Sequence, residues 1–231
     1  MRIYIGTSGF SYTPWRGSFY PEKLPPAKML AYYAERLDAV EINNTFYRMP
    51  APDMLAKWAL ETPATFQFAI KSPRRITHEK KLADVADSLT RLREAATTLG
   101  ERLGPVLFQL PPFMKKDLPR LQAFVAQLPP GLRATMEFRH ESWFSPDVYE
   151  ALRARDVSLC LAESEDIATP VEETSTWGYL RLRRQDYDDD ALAVWAERLK
   201  ARAWQSAYVF FKHEDEGVGP KLAAKFRALV G

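Results

Sequence analysis

The sequence predicts an α/β protein: a single (β/α)8 TIM barrel spanning residues 1–231, with an irregular crossover between strands six and seven. Two observations predict it. Eight short apolar runs of strand character alternate with segments of helical period, and no Gly/Ser linker or low-complexity block divides the 231-residue chain. A third observation locates the working end. The strand-like runs turn polar at their C-terminal ends, and parallel neighbours gather such ends on one rim, where α/β folds place their sites.

Alternation and β-branched or aromatic enrichment place the strands at about 2–8, 39–46, 65–71, 104–110, 133–140, 157–163, 177–183 and 207–213. After strand one, Pro25 and Pro26 sit where a helix can begin, and Met29, Tyr33 and Leu37 recur every four residues. A short helix fits 52–60. The longest stripe is Leu82, Val85, Ala86, Leu89, Leu92, Ala96 and Leu99, and Leu118, Leu121, Phe124, Val125 and Leu128 make another. Further helices fit 146–155, 190–201 and 219–229, with Ser145-Pro146 reading as an N-cap followed by an N1 proline. Between strands six and seven, Ser164 to Ser175 is polar with only a faint helical period, which predicts the irregular crossover.

Composition narrows the classes. With 46% hydrophobic and 27% charged residues the chain is globular, and a formal charge of +2 lacks the excess of a protein built to hold long nucleic-acid backbones. Its one cysteine, Cys160, lies in an apolar run, which excludes an intrachain disulfide and a Cys-rich metal site. Arg2-Ile3-Tyr4-Ile5-Gly6 reads as a strand and not as a signal peptide, and no apolar run approaches the ~20 residues that span a bilayer. A cytoplasmic protein with no membrane partner is the expectation. Gly6-Thr7-Ser8-Gly9 matches neither GxGxxG nor a P-loop.

Several blocks resemble a known family. Gly6-Thr7-Ser8-Gly9-Phe10-Ser11-Tyr12, with Trp15, Gly17, Phe19, Tyr20 and Pro21, is similar to the opening signature of the YecE-like family, domain of unknown function 72. Val40 to Arg48, Phe68 to Arg74 with Ile76-Thr77-His78, Gln109-Leu110-Pro111-Pro112, and Glu137-Phe138-Arg139-His140 with Trp143 resemble its later signatures over residues 1–145. The resemblance implies a TIM barrel and no established activity. The family commonly carries His-Gly after strand seven and Asn-Asn after strand eight. Here those regions read Arg181-Leu182-Arg183-Arg184 and Phe210 to Asp215, so two walls of the implied pocket carry different chemistry.

In Thr135-Met136-Glu137-Phe138-Arg139-His140, residues 135, 137 and 139 share one face. Inward barrel positions are usually filled by Val, Ile and Leu, so Glu41, Lys71, Glu137, Arg139, Arg181 and Lys212 require partners or a ligand, or form mutually satisfied ion pairs. As a site they would supply acid/base chemistry of hydrolase type. Glu41 or Glu137 would be the proton-transfer group and Lys71 and Arg139 the charge stabilisers; Asn43, Gln109, Arg181 and Lys212 would orient a small anionic or polyhydroxylated ligand. Arg74, in the basic loop Lys71 to Lys81, together with His78, His140 and Trp143, completes the ligand-binding set. No cofactor is implied. A divalent metal would need the three histidines, His78, His140 and His213, to converge with Glu41, Glu137 and Asp215, and no HxH or HExxH spacing is present. Two rival readings stay open: a nucleic-acid-binding or processing protein, with Arg74, Arg75, Lys80 and Lys81 on phosphates and rim aromatics on bases, and a non-catalytic interaction scaffold.

Overall fold

The computed structural model describes residues 1–164 and 167–231. Eight parallel strands close into a barrel in sequence order: β1 (Arg2–Ser8), β2 (Ala39–Ile42), β3 (Gln67–Lys71), β4 (Leu103–Gln109), β5 (Ala134–Glu137), β6 (Ser158–Glu163), β7 (Trp177–Leu182) and β8 (Ser206–Phe211), with β8 pairing back onto β1. Helices α1 (Met29–Ala34), α2 (Pro52–Leu60), α3 (Ala86–Thr97), α4 (Leu118–Gln127), α5 (Pro146–Arg153), α6 (Asp189–Lys200) and α7 (Val218–Val230) lie between and after them. Every strand expected from the sequence is present. Period-two alternation divides the apolar residues into two cores. Ala69, Leu107, Cys160, Tyr179, Tyr208 and Phe210 fill the barrel, while residues such as Ile5, Val40, Phe68, Phe108 and Met136 pack outward against the helices.

Three elements differ from the expectation. Strand β2 ends at Ile42, and Asn44–Phe46 turns into a 3-10 segment whose Thr45 hydroxyl reaches the carbonyls of Ile42 (2.8 Å) and Lys71 (2.6 Å). Helix α3 begins at Ala86 although the apolar stripe starts at Leu82. Lys81, Leu82 and Asp84 have φ of 48°, 71° and 51°, left-handed conformations that no helix propagates, yet Leu82 and Val85 remain buried as members of the main hydrophobic core. A π-helical turn, Arg75–Glu79, precedes that loop.

Among the described residues, β6 connects to β7 without a helix, as the sequence predicted; Glu165 and Asp166, within the expected crossover, lie outside the described residues. Threonine hydroxyls take over the backbone there. Thr174 Oγ1 accepts from the Leu159 N–H (2.7 Å) and donates to the Val157 carbonyl (2.8 Å), and Thr169 Oγ1 accepts from Ala162 N–H (3.2 Å). These bonds satisfy polar groups that burial would otherwise penalise.

On the β1 side, the Tyr33 hydroxyl from α1 accepts from the Thr7 N–H (2.8 Å) and donates to the Ala39 carbonyl (2.9 Å), linking β1 to β2 through a side chain. Gly6 makes the approach sterically feasible, for a Cβ there would stand 1.8 Å from the Ala39 oxygen and 2.9 Å from the Tyr33 oxygen. Gly6→Ala should therefore lower the urea midpoint by the equivalent of about 3 kcal/mol, at the upper end of overpacking costs. Because interstrand pairing runs unbroken round the barrel, one cooperative unfolding transition is expected, with proteolysis first in loops or termini. Two stable fragments with separate melting transitions would contradict it.

Candidate functional site

The polar strand ends meet at the C-terminal mouth of the barrel. At its centre the guanidinium of Arg181, on β7 and 2% exposed, lies between two buried carboxylates. Its Nη2 donates to Glu41 Oε1 (2.8 Å) and its Nη1 to Glu137 Oε2 (2.5 Å). The remaining carboxylate capacity is also taken. Glu41 accepts from Ser8 Oγ (2.7 Å), Asn43 Nδ2 (3.1 Å) and the Tyr179 hydroxyl (2.7 Å). Glu137 Oε1 accepts from Gln109 Nε2 (2.7 Å) and Arg139 Nε (3.0 Å), with Arg183 Nη1 3.9 Å away.

Lys71 is the odd cation. Its Nζ donates to Gln109 Oε1 (2.8 Å) and sits 4.4 Å from the centroid of Phe46, with no carboxylate within ion-pair distance among the described residues. The 3-10 turn places Phe46, because Thr45 ties that turn to the Lys71 carbonyl. His78 also meets Phe46, with ring centroids 4.8 Å apart and planes near perpendicular, and its Nδ1 is held by Thr77 Oγ1 at 2.9 Å. Lys212, just past β8, has Glu214 at 3.9 Å as its one ion-pair partner among the described residues.

The surroundings set the charge states. Burial pushes the Glu137 carboxyl up, but Arg181, Arg139 and Arg183 more than offset it and hold it at about 2. Burial raises Glu41 likewise, and Arg181 with the bonds from Ser8 and Tyr179 brings it below the ordinary carboxylate range. For Lys71 burial and the charge of Arg181 act downward, against Glu137 and Glu41, and leave the amine at about 8. Burial, then the charges of Lys71, Arg139 and Arg74, lowers His78, and burial with Arg183 lowers Lys212. Glu41 and Glu137 are thus ionised with their oxygens engaged, which suits structural counter-charges better than proton-transfer groups.

Seven of the residues named from the sequence, Glu41, Asn43, Lys71, Gln109, Glu137, Arg139 and Arg181, form one hydrogen-bonded network. Others stand apart. Trp143 does not line the mouth: it is fully buried, stacks on Phe138 (4.7 Å) and donates its indole N–H to the Met114 carbonyl (2.7 Å), anchoring the segment before α5. His140 is on the outward phase of β5 and uses Nδ1 to accept from the Ser142 N–H (3.2 Å). Arg74 is exposed and paired with Glu79 at 3.1 Å. No convergent metal set forms from the three histidines; His213 meets the Arg184 carbonyl instead (2.6 Å), and among the described residues no group of three or more His, Cys, Asp or Glu is placed to hold an ion. The sequence does not single out Ser8 or Tyr179 as site members, and it marks Arg183 only as one of the arginines of an anion-binding rim. Tyr179 and Arg183 each lie two positions from Arg181, so the period-two phase was the signal that could have found them, and Ser8, two positions from Gly6, had no such signal.

Two depressions flank the network. One of about 590 Å3 lies over β1 and β2 and is lined by Phe10, Tyr12, Asn43, Met54 and Trp58 among others. The other, about 510 Å3, lies over β7 and β8 between Arg183, Arg184, Lys212 and His213. Three buried polar atoms of residues lining them have no hydrogen-bond partner among the described residues: Asn43 Oδ1, Arg183 Nε and His213 Nδ1.

A closed eight-stranded parallel barrel with a charged constellation at its C-terminal mouth defines a (β/α)8 TIM-barrel protein. Within that class the chain belongs to the family described as protein of unknown function DUF72, whose profile matches residues 4–231, so the likeness continues beyond the signatures of residues 1–145. It is 31% identical over 156 residues to the UPF0759 protein YunF of Bacillus subtilis (strain 168), covering 64% of this chain and 54% of that protein. It is 29% identical over 171 residues to the UPF0759 protein YecE of Escherichia coli (strain K12), covering 71% and 60%. The chain thus matches less than two thirds of the length of these curated relatives. The crystal structure of a DUF72 family protein from Thermotoga maritima MSB8 superposes with a TM-score of 0.87 at 26% identity, covering 100% of this chain and 99% of that one. Another, from Enterococcus faecalis V583, gives 0.80 at 19% identity over 99% and 95%, a likeness of fold. Among the described residues no helix is long and apolar enough to cross a membrane.

Removing Arg181 tests the network. Arg181→Met strands two buried carboxylates and should cost about 3–5 kcal/mol by denaturant unfolding. The pH dependence has a definite sign. Glu137 is held at about 2, so its contribution in the native protein is complete above the unfolded carboxylate range and disappears as pH falls from about 5 towards 2. In Arg181→Met the same carboxyls, buried without their cation, bind protons more readily, and the deficit relative to wild type should be smaller at pH 4 than at pH 8. An equal deficit at both values would refute this coupling.

Proposed function

We propose that the barrel mouth binds a small phosphorylated, polyhydroxylated ligand and performs acid/base chemistry on it, with Lys71 as the proton-transfer group. One observation carries the reading: among the described residues, Lys71, Arg139, Arg181, Arg183 and Lys212 gather at a mouth whose two buried carboxylates, Glu41 and Glu137, are both bonded to Arg181, with Glu214 as the further carboxylate beside Lys212. A cationic excess beside a partly desolvated mouth attracts an oxyanion. The depression between Arg183 and Lys212 lies after strands seven and eight, where TIM barrels frequently hold phosphate. Asn43 Oδ1, a buried acceptor without a partner among the described residues, suits a ligand hydroxyl, and Phe10, Tyr12 and Trp58 wall the cavity beside it as an apolar face would require.

The role expected of Glu41 or Glu137 passes to Lys71. An amine at about 8 exchanges a proton near neutral pH, whereas a carboxylate at about 2 is a weak base with its lone pairs engaged. Gln109 links the two, orienting the amine through Oε1 and Glu137 through Nε2. Arg139, whose side chain is 30% exposed, would meet the anion from above. The reaction this suits is hydrolysis, or another proton-transfer step, at a phosphate ester or glycosidic bond.

Inorganic phosphate or a sugar phosphate at about tenfold its Kd should stabilise the folded protein by roughly 1.4 kcal/mol. That effect should exceed chloride's at matched ionic strength and shrink sharply in Lys71→Met, while Arg139→Met stays folded and binds more weakly. Binding should also weaken as pH rises through about 8, where Lys71 loses its charge. Equal stabilisation by every salt, indifferent to Lys71→Met, would overturn the proposal. Tight binding of single-stranded nucleic acid with a steep salt dependence would favour the rival reading through the exposed loop cations Arg75, Lys80 and Lys81.

A further inference from the structure

The opposite, N-terminal end of the barrel carries a second concentration of unspent polar chemistry. A cavity of about 560 Å3 opens there, lined by Arg2, Tyr4, Gln67, Glu101, Leu103 and Arg133 among others, a size suited to a small molecule. Tyr4, on its lining, stacks on Tyr208 with centroids 4.8 Å apart and planes at 10°. Each ring carries a guanidinium. Arg2 lies over the Tyr4 face at 4.8 Å, and Arg133 Nη1 donates to the Tyr208 hydroxyl at 2.5 Å.

The two phenols differ in one respect. The Tyr208 hydroxyl is satisfied, accepting from Arg133 and donating to Gln67 Oε1 (3.4 Å), and Gln67 in turn spends its Nε2 on the carbonyls of Glu101 (2.9 Å) and Phe66 (3.2 Å). Tyr4 is only 7% exposed, yet its hydroxyl has no protein partner among the described residues and opens on the cavity. Packing alone would be served as well by phenylalanine, and a hydroxyl that faces the open cavity is available as a donor to a ligand there. Neither Arg2 nor Arg133 has a carboxylate within ion-pair distance among the described residues. The one carboxylate on the lining, Glu101, belongs to an exposed residue.

We propose that this N-terminal cavity is a second binding site, separate from the C-terminal mouth, for a small molecule with a carboxylate or phosphate head, held by the Arg2 and Arg133 guanidiniums and the Tyr4 hydroxyl. Guanidinium forks match both oxyanions, and a phenol adds a third donor to them. The apolar part of the ligand would lie against Leu103 and Leu132, with the backbones of Gly104 and Gly131 leaving room beside them. Glu101 works against the anion, so neutralising it should strengthen binding.

The test uses the full chain carrying Lys71→Met, so that an anion lost from the opposite mouth cannot be mistaken for this one. Modification of arginines by phenylglyoxal is followed at Arg2 and Arg133 by peptide mass spectrometry, with benzoate and inorganic phosphate as the two probes and chloride at equal ionic strength as reference. Protection at both arginines is expected, by benzoate if the head is a carboxylate, by phosphate if it is a phosphoryl group, or by both. Tyr4→Phe, which keeps the ring stack, should raise the Kd of the protecting anion roughly tenfold, as loss of a hydrogen bond to a charged group does. Glu101→Gln should lower it. Modification rates no slower than in chloride with either probe, or a Kd unmoved by Tyr4→Phe, would overturn the proposal.

Discussion

The organising interaction of this protein is the single guanidinium of Arg181, held inside the barrel between Glu41 and Glu137. Two carboxylates in a barrel interior are untenable without it, because an unpaired buried charge costs far more than any packing they permit. With it, one β7 residue joins the ends of β2 and β5 across the lumen. The arrangement need not add net stability, since apolar side chains of similar volume would commonly do as well. Its contribution is positional: it fixes where charge sits at the mouth and leaves Lys71 as an amine with a neutral hydrogen-bond partner.

Lys71 illustrates how sequence-local features combine into a chemical one. The end of β3 supplies the residue, the short 3-10 turn after β2 supplies the Phe46 face, and the polar end of β4 supplies the Gln109 carbonyl. None of these partners can neutralise the amine. Burial among other cations then lowers its proton affinity, a balance that would vanish if a carboxylate replaced Gln109. The outer rim residues Arg183 and Lys212 extend the positive field over β7 and β8, the two strands whose ends depart from the family's usual His-Gly and Asn-Asn pairs.

All eight strands were legible because inward and outward residues alternate cleanly and each run ends in polar residues. So was the irregular crossover after β6, where the apolar period fades and no helix forms among the described residues. The start of α3 was not: Leu82 and Val85 continue the stripe's spacing, but burial alone does not distinguish a helical turn from a loop folded under the core, and the left-handed residues beside them are not glycines. Trp143 misled for a related reason. A tryptophan just past a strand end can line a pocket or close a loop, and only the Phe138 stack and the Met114 carbonyl decide. The charged mouth was visible as phase, whereas the division of labour within it, two carboxylates spent on one arginine, depends on distances across strands far apart in sequence.

Cys160 lies inside the barrel on β6, fully buried, with burial and the nearby Glu137 raising its thiol well above the ordinary range. As the chain's only sulfhydryl, it is shielded by the closed sheet from any reagent in water and is inert in its protonated form. Its alkylation rate therefore measures how often the staves of the barrel part, a built-in clock for breathing of the closed sheet that requires no engineered label.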